Sequence, residues 1–353
     1  SRRGWRVPNR SQRAGSGQLA TSGSTGGPKF TAMLVPGPLP RATPPPESSA
    51  TRRTMSRPRP LPVPPLVPRY LRRPAAGRLD RRGRELVPLS LDDVRDAIEL
   101  FRKEGVEAVA ICFMNAFANP EHEVRAAELV AAELPGAYLT VSSDLLPSVR
   151  FYNRVSTTVL NAYNGPKLSA YLDSLTRRLG DIGFDGVLLI MQSNGGVVLP
   201  ATARDYAAMT LLSGPAAGPV AGIQYARIHG ADNCLTVDMG GTSFDAAMVL
   251  GGAPTTVNEG EINRYRIALP MLDIVTIGAG GGSIGWIDEG GLLRMGPQSA
   301  GADPGPACYG TGGELPTCTD ADLALGYLDP RYFAGGRIAL RLDPSAPTDL
   351  TRR

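Results

Sequence analysis

Two aspartates and two hydroxyl residues surround a pair of glycines in the segment 233–250, NCLTVDMGGTSFDAAMVL. Apolar residues on either side predict two strands, and Gly240-Gly241 predicts the turn of a hairpin between them. Backbone N–H groups and hydroxyls can wrap the oxygens of a phosphate, and one or two carboxylates commonly hold Mg²⁺. The segment therefore predicts either a phosphate and metal site or an ordinary glycine hairpin with solvated aspartates. The polar side chains at the hairpin mouth are Asp238, Thr242, Ser243 and Asp245.

A second glycine-rich element, DIVTIGAGGGSIGWID (273–288), favours the first of these interpretations. It joins two apolar strands through more glycine than a turn requires, but no GxGxxG opens a helix here, so it is not the dinucleotide fingerprint. A long irregular loop follows over 296–310, and loops of this length inside a compact domain are usually functional. The glycine-rich connection contains Gly278, Gly280, Gly281, Gly282 and Ser283.

The composition argues against acyl-enzyme catalysis by a Ser/His/Asp or Cys/His set, and it nearly excludes a histidine-rich zinc site. The chain has only two histidines, and we expect His122 to lie in a solvated first helical turn. Its four cysteines match neither a zinc ribbon nor a Cys-x-x-Cys pair. With no secretory signal either, the thiols predict a reduced, cytoplasmic protein.

The elements that must position the two glycine-rich segments follow an α/β pattern from about residue 86. Ser90 and Asp93 predict a helix start, and Gly105 its end. A buried strand over 108–113, a helix after Asn119-Pro120 and a strand over 138–142 then alternate. Such alternation predicts a mostly parallel sheet.

A second block opens near Ser156 with a helix that Gly165-Pro166 is expected to interrupt. The apolar run 186–191 predicts a strand leading into the polar loop 192–196, a place where α/β folds bind ligands. The segment SGPAAG (213–218) predicts a break before a helix that ends near His229.

The charge of the chain divides sharply near residue 84. Residues 1–84 contain 18 Lys and Arg against 2 acidic residues, and 15 of the 32 prolines. This stretch cannot bury enough surface to offset its ordering entropy, so we predict a disordered leader that can be removed without loss of folding. A basic arm for nucleic acid or anionic membrane and an organelle transit peptide are the alternatives. We expect neither a nucleic-acid nor a membrane partner.

Five segments together resemble the hydantoinase A/5-oxoprolinase family, which includes N-methylhydantoinase, ATP-dependent 5-oxoprolinase and the acetone carboxylase β subunit. The resemblance covers roughly residues 65–343, and the set is specific although each piece alone is weak. The segments are DMGGTSFD (238–245), LLSGPAAG (211–218), MQSNGG (191–196), GAGGGSI (278–284) and SAGADPGPACYG (299–310).

The resemblance implies an α/β fold similar to actin and hexokinase (ribonuclease H-like), in which two lobes clamp ATP between glycine-rich hairpins. Residues 85–155 would be the remainder of the N-terminal region, 156–343 the ATP-binding domain and 344–353 a tail. ATP and Mg²⁺ are the implied cofactors, with Asp238 and Asp245 as the catalytic, metal-holding residues. The implied nucleotide-binding residues are Gly240, Gly241, Thr242, Ser243, Ser213, Gly214, Gly278, Gly280, Gly281, Gly282 and Ser283.

The function implied by the resemblance is ATP-dependent opening of a cyclic amide, 5-oxoproline or a hydantoin, through phosphorylation of the amide oxygen. A hydantoinase B-type subunit or domain would assist, in an oligomer. Family members begin with another hairpin, D-x-G-G-T-x-T-D, which this sequence lacks, and Phe244 replaces a common Thr. Two alternatives follow: a truncated or regulatory nucleotide-binding lobe without turnover, or a carboxylase β subunit. An incomplete lobe pair also predicts an exposed apolar surface.

Overall fold

The computed structural model describes residues 31–36, 66–262 and 265–341, with backbone alone for 31–36. The N-terminal elements are β1 Thr31–Pro36, β2 Arg72–Ala75, β3 Arg78–Leu79, β4 Glu85–Val87, α1 Leu91–Lys103, β5 Ala108–Ile111, α2 Glu121–Glu133, β6 Tyr138–Val141, α3 Ser142–Leu145 and α4 Phe151–Asp181. The C-terminal elements are β7 Ile190–Met191, β8 Val197–Val198, α5 Pro200–Asp205, α6 Ser213–Ile228, β9 Cys234–Met239, β10 Phe244–Leu250, β11 Ala253–Pro254, β12 Thr256–Val257, β13 Gly260–Ile262, β14 Tyr265–Ile267, β15 Met271–Leu272, β16 Ile274–Ile277, β17 Ser283–Ile287, β18 Leu293–Ser299 and α7 Cys318–Ala324.

The N-terminal sheet confirms the predicted parallel α/β arrangement. Its strand order is β2-β1-β5-β6, and every neighbouring pair is parallel. Parallel strands need crossover connections: α1 lies in the connection from β2 to β5, and α2 in that from β5 to β6. Helix α1 starts at Ser90, whose Oγ accepts a hydrogen bond from Asp93 N. Its buried face, centred on Ile98 and Phe101, packs in the same core as Val109 of β5.

The leader predicted to extend to residue 84 is wrong for residues 31–36 and 66–84, which belong to the folded body. Val67, Leu71, Ala75 and Leu79 are at most 1 % exposed, and β1 pairs with a strand on each side. These four apolar residues recur every four positions among the arginines, and their burial is enough to anchor the segment. The predictions for 1–30, 37–65 and 344–353 fall outside the described residues.

Helix α4 runs unbroken through Gly165 and Pro166, so the predicted interruption is wrong. Its 31 residues include Pro166 in the interior, which removes one helical hydrogen bond. Burial of the whole stretch 153–162 offsets that cost. Gly165 is explained by packing, because a Cβ there would lie 2.2 Å from the ring of Tyr138.

Two other segments differ from their predictions. SGPAAG (213–218) does not precede a helix but forms the first turns of α6. The strand predicted over 186–191 is confined to Ile190–Met191 of β7, and Val187 is 71 % exposed. Apolar composition alone did not distinguish a short strand from an exposed loop.

His122 and Glu123 in the first turn of α2 are buried, contrary to the expected solvated His122. His122 is 2 % exposed, and its Nε2 lies 2.7 Å from Glu85 Oε1. The neighbouring Glu123 is fully buried and accepts hydrogen bonds from Phe113 N and Ser143 N. Burial raises the pKa of Glu123, and its hydrogen bonds act in the opposite direction. These carboxylate contacts tie α2 to the carboxyl ends of the strands.

The C-terminal sheet is antiparallel and centred on β10, which pairs with β9 on one side and with β16 and β11 on the other. Helix α6 covers one face so closely that a Cβ at Gly222 would lie 2.2 Å from Thr236 Cγ2. The opposite face is apolar and exposed. The sequence predicts an exposed apolar surface without giving its position. Its side chains, 47–67 % exposed, are those of Leu235, Val237, Met239, Met248, Leu250, Val275 and Ile277.

None of the helices in the described ranges is long and apolar enough to cross a membrane.

Candidate functional site

Three polar side chains form a row across the C-terminal sheet. Asp245 of β10 lies directly opposite Asp238 of β9 and Thr276 of β16. Residues directly opposite in antiparallel strands project from the same face. The predicted pair of carboxylates is therefore brought together, and Thr276, which the sequence analysis missed, joins it.

The two carboxylates differ in their surroundings. Asp245 Oδ1 accepts a 2.6 Å hydrogen bond from Thr276 Oγ1, and Asp245 Oδ2 accepts one of 3.2 Å from Ser243 Oγ. Asp238 is exposed, and its carboxylate makes no hydrogen bond or ion pair with any other described residue. One aspartate is thus held in position and the other is free to bind.

Helix α6 and the sheet enclose a cleft of about 390 Å³ beside this row. Both aspartates line it, together with residues of the N-terminal half of α6 such as Pro215 and Gly218. The carboxylates therefore share one cleft with the side of a 16-residue helix.

The tip of the β9–β10 hairpin presents unpaired backbone donors. Gly240 N donates to Ser243 O at 2.9 Å and closes the turn. The N–H groups of Gly241, Thr242 and Ser243 have no hydrogen-bond acceptor among the described residues. Consecutive free N–H groups of this kind suit an anion.

The second glycine-rich connection supports the hairpin tip. Gly281 N donates to Gly240 O at 2.9 Å, and Gly282 N donates to Gly241 O at 2.7 Å. Gly280 N donates to the buried Ser283 Oγ at 2.8 Å. Ser283 N in turn donates to Gly280 O at 2.9 Å. All four predicted phosphate-binding residues from 280 to 283 therefore have their N–H groups occupied within the protein, whereas Gly278 lies in open surroundings.

Close backbone approach explains why this connection is rich in glycine. A Cβ at Gly280 would lie 2.6 Å from Gly240 O and from Thr242 N, both backbone atoms. A Cβ at Gly282 would lie 2.9 Å from Ser299 Oγ and 3.0 Å from Gly241 O. Any larger residue at Gly280 would push the two elements apart.

Ser213 and Gly214 are the first two residues of α6. No side chain caps this helix end, and its first turn contains no acidic residue. Helix N-termini leave backbone donors unpaired and attract anions. Ser193, from the predicted ligand loop 192–196, has a different task here: its Oγ accepts from Leu212 N at 3.0 Å and so fixes the start of α6.

The donor set fits a cation bound together with phosphate. Among the described residues there is no group of three or more His, Cys, Asp or Glu that could hold a metal. Two facing carboxylates repel each other, and Mg²⁺ is usually bound by one or two carboxylates with the remaining positions taken by water and substrate phosphates. Asp238 and Asp245 provide that kind of half-site.

Two family models match separate parts of the chain. The model described as Hydantoinase/oxoprolinase matches residues 154–346, and its N-terminal region model matches 49–134. The chain belongs to the hydantoinase/oxoprolinase family. All the predicted site residues lie within the match to residues 154–346. The match to the N-terminal region begins at residue 49, well before residue 85, where that region was expected to begin.

Family members with curated names match most of the chain. Caprolactamase subunit alpha of Pseudomonas jessenii is 45 % identical over 287 residues, 81 % of this chain and 41 % of the relative. The acetone carboxylase beta subunit of Xanthobacter autotrophicus is 31 % identical over 291 residues, 81 % of this chain and 40 % of the relative. The 5-oxoprolinase of Saccharomyces cerevisiae is 37 % identical over 243 residues, 68 % of this chain and 18 % of the relative.

The fold agrees with a solved structure from the same family. The crystal structure of ATP-dependent caprolactamase from Pseudomonas jessenii superimposes with a TM-score of 0.71 at 39 % identity, covering 88 % of this chain and 45 % of that one. The chain therefore spans less than half the length of these relatives.

Proposed function

We propose that this chain carries the nucleotide-phosphate site of an ATP-dependent enzyme that opens a cyclic amide. The observation that supports it is the pair of facing carboxylates, Asp238 and Asp245, on a hairpin whose tip carries free N–H groups, beside a cleft that the first half of α6 also lines. Carboxylates suit a divalent cation, and N–H groups suit phosphate. The names caprolactamase and 5-oxoprolinase, both carried by relatives, denote action on cyclic amides.

We also propose that the C-terminal sheet with α6 is one lobe of an architecture similar to actin and hexokinase. A glycine-rich hairpin at the end of an antiparallel sheet, beside a covering helix, is consistent with such a lobe. In this arrangement the phosphates lie at the hairpin tip.

The residues of the site have separable tasks in this proposal. The N–H groups of 241–243, with those of Ser213 and Gly214, donate to phosphate oxygens and stabilise charge that develops during transfer. Asp238 and Asp245 hold Mg²⁺, which supplies positive charge against the phosphate oxygens. Gly280–Gly282 keep the hairpin tip in place.

The proposed chemistry proceeds in three balanced steps. The ring amide oxygen attacks the γ-phosphorus of ATP, the bond from that phosphorus to the ADP oxygen breaks, and ADP leaves. Water then adds to the activated ring carbon, the ring C–N bond breaks with a proton passing to nitrogen, and an acyl phosphate is left. A second water hydrolyses the acyl phosphate to a carboxylate and inorganic phosphate. We propose that a hydantoinase B-type subunit or domain assists the second step, since the described residues offer no histidine at the site.

Calorimetric titration with ATP, in Mg²⁺ and in EDTA, tests the nucleotide site. We expect Mg²⁺ to strengthen ATP binding to the wild-type chain and Asp238→Asn to remove most of that gain. The matched control is Asp185→Asn. Asp185 is an exposed aspartate in the loop before β7, distant in sequence from Asp238. Equal gains in wild type and Asp238→Asn would refute the assignment of the cation site.

Turnover with a lactam, 5-oxoproline, a hydantoin and acetone, each with and without a B-type subunit, tests the reaction. ADP release that depends on a cyclic amide supports the proposal. ADP release with acetone alone would favour a carboxylase, and ATP binding without any ADP release would favour a lobe without turnover.

A further inference from the structure

Asp245 and Asp238 are chemically identical residues at one site, yet only Asp245 is restrained by neighbours. The 2.6 Å contact from Thr276 Oγ1 is within the range of a hydrogen bond from a hydroxyl to a charged carboxylate, which is among the stronger kinds. Ser243 Oγ, at 3.2 Å, adds a longer contact to the other oxygen.

The two hydroxyls leave Asp245 able to bind a cation. A carboxylate has roughly four lone-pair positions, and two are used here. The contacts fix the plane of the carboxylate, so its remaining lone pairs keep one direction relative to Asp238 across the strand pair.

We propose that Thr276 is a positioning residue that orients Asp245, while Asp238 remains the freely adjustable ligand of the cation. The inference rests on the proposed function, because it assigns different parts to the two carboxylates of that site. Thr276 comes from a strand 31 residues further along the chain than Asp245, and no sequence motif marked it.

The test compares Thr276→Val, which keeps the shape but removes the hydroxyl, with Thr276→Ser, which keeps the hydroxyl. We expect Thr276→Val to reduce ATP affinity in Mg²⁺ by about tenfold, as for loss of a hydrogen bond to a charged group, and to leave affinity in EDTA unchanged. Thr276→Ser should restore wild-type affinity in Mg²⁺. Thr256→Val, an exposed threonine on β12 without a described side-chain hydrogen bond, is the control.

A purely structural role of Thr276 would lower the stability to urea and the ATP affinity both in Mg²⁺ and in EDTA. That result would contradict the inference. If Mg²⁺ strengthens ATP binding to Thr276→Val as much as to the wild type, the inference about Thr276 is overturned and the proposed function stays intact. Absence of any Mg²⁺ enhancement in the wild type would refute the proposed cation site itself. Should Thr276→Val not fold, Ser243→Ala tests the restraint on the other oxygen of Asp245, and a Mg²⁺ enhancement equal to that of the wild type would contradict the inference.

Discussion

Replacing Gly280 by alanine should separate the two glycine-rich elements that form the site. An added Cβ would lie 2.6 Å from two backbone atoms of the hairpin, Gly240 O and Thr242 N, and backbone cannot rotate away as a side chain can. The displacement breaks the bonds from Gly281 N and Gly282 N to the hairpin carbonyls. The supporting contact between the elements is thereby lost.

The magnitude follows from those contacts. Two backbone hydrogen bonds contribute about 0.5–1.5 kcal/mol each, and overpacking costs typically about 1–3 kcal/mol. We expect Gly280→Ala to lower the free energy of unfolding by about 2–6 kcal/mol and to weaken Mg²⁺-dependent ATP binding. Urea unfolding followed by circular dichroism measures the first effect, and calorimetry the second.

Gly278→Ala is the matched control in the same connection. A Cβ there would meet no heavy atom within 4 Å, and neither glycine has a positive φ. Both substitutions therefore change the entropy of the unfolded chain alike, and the difference between them isolates the contact. We expect Gly278→Ala to change stability by less than about 1 kcal/mol. If the two variants unfold within about 0.5 kcal/mol of each other, the reasoning about close approach is refuted.

Three further outcomes are expected. Burial raises the pKa of Glu123 in the folded protein above the ordinary glutamate value. Its contribution to stability is therefore full below the ordinary glutamate pKa and is lost as pH rises through the folded pKa. In urea unfolding measured from acid to neutral pH, the wild type should lose stability relative to Glu123→Gln. Asn161→Ala should cost about 1–3 kcal/mol by thermal unfolding, because it leaves the buried Ala208 N–H without its acceptor at 2.8 Å. A fragment beginning at residue 85 should lack a cooperative unfolding transition, since β1 and β2 are removed; a sharp transition in that fragment would contradict the fold.

The sequence was informative wherever the decisive residues are close along the chain. The β9–β10 hairpin could be predicted because two apolar runs flank Gly240-Gly241, and strand pairing across a short turn places Asp238 opposite Asp245 without further information. Helix α1 was predictable for the same reason, since Ser90 and the apolar spacing after it are local signals.

The errors arose where distant contacts override local preference. Pro166 should end a helix, but burial of the preceding turns keeps α4 continuous. The arginines around Leu71 suggest disorder, but the apolar residues between them fill a core built mostly from later segments. His122 looks solvated among charged neighbours, but its helix turn faces Glu85 from a strand 37 residues earlier.

The candidate site shows the same division between the groups proposed to bind and the groups that position them. The carboxylates and the free N–H groups of the hairpin come from eight consecutive residues, 238–245, and could be named from sequence. Their geometry depends on Thr276, on Gly280 and, at the start of α6, on Ser193, each from a separate segment. A chain could therefore keep the whole 238–245 segment and still lose the site through one substitution in a supporting strand. Matching that segment alone identifies the proposed ligands of phosphate and cation, and the supporting contacts decide whether they are correctly placed.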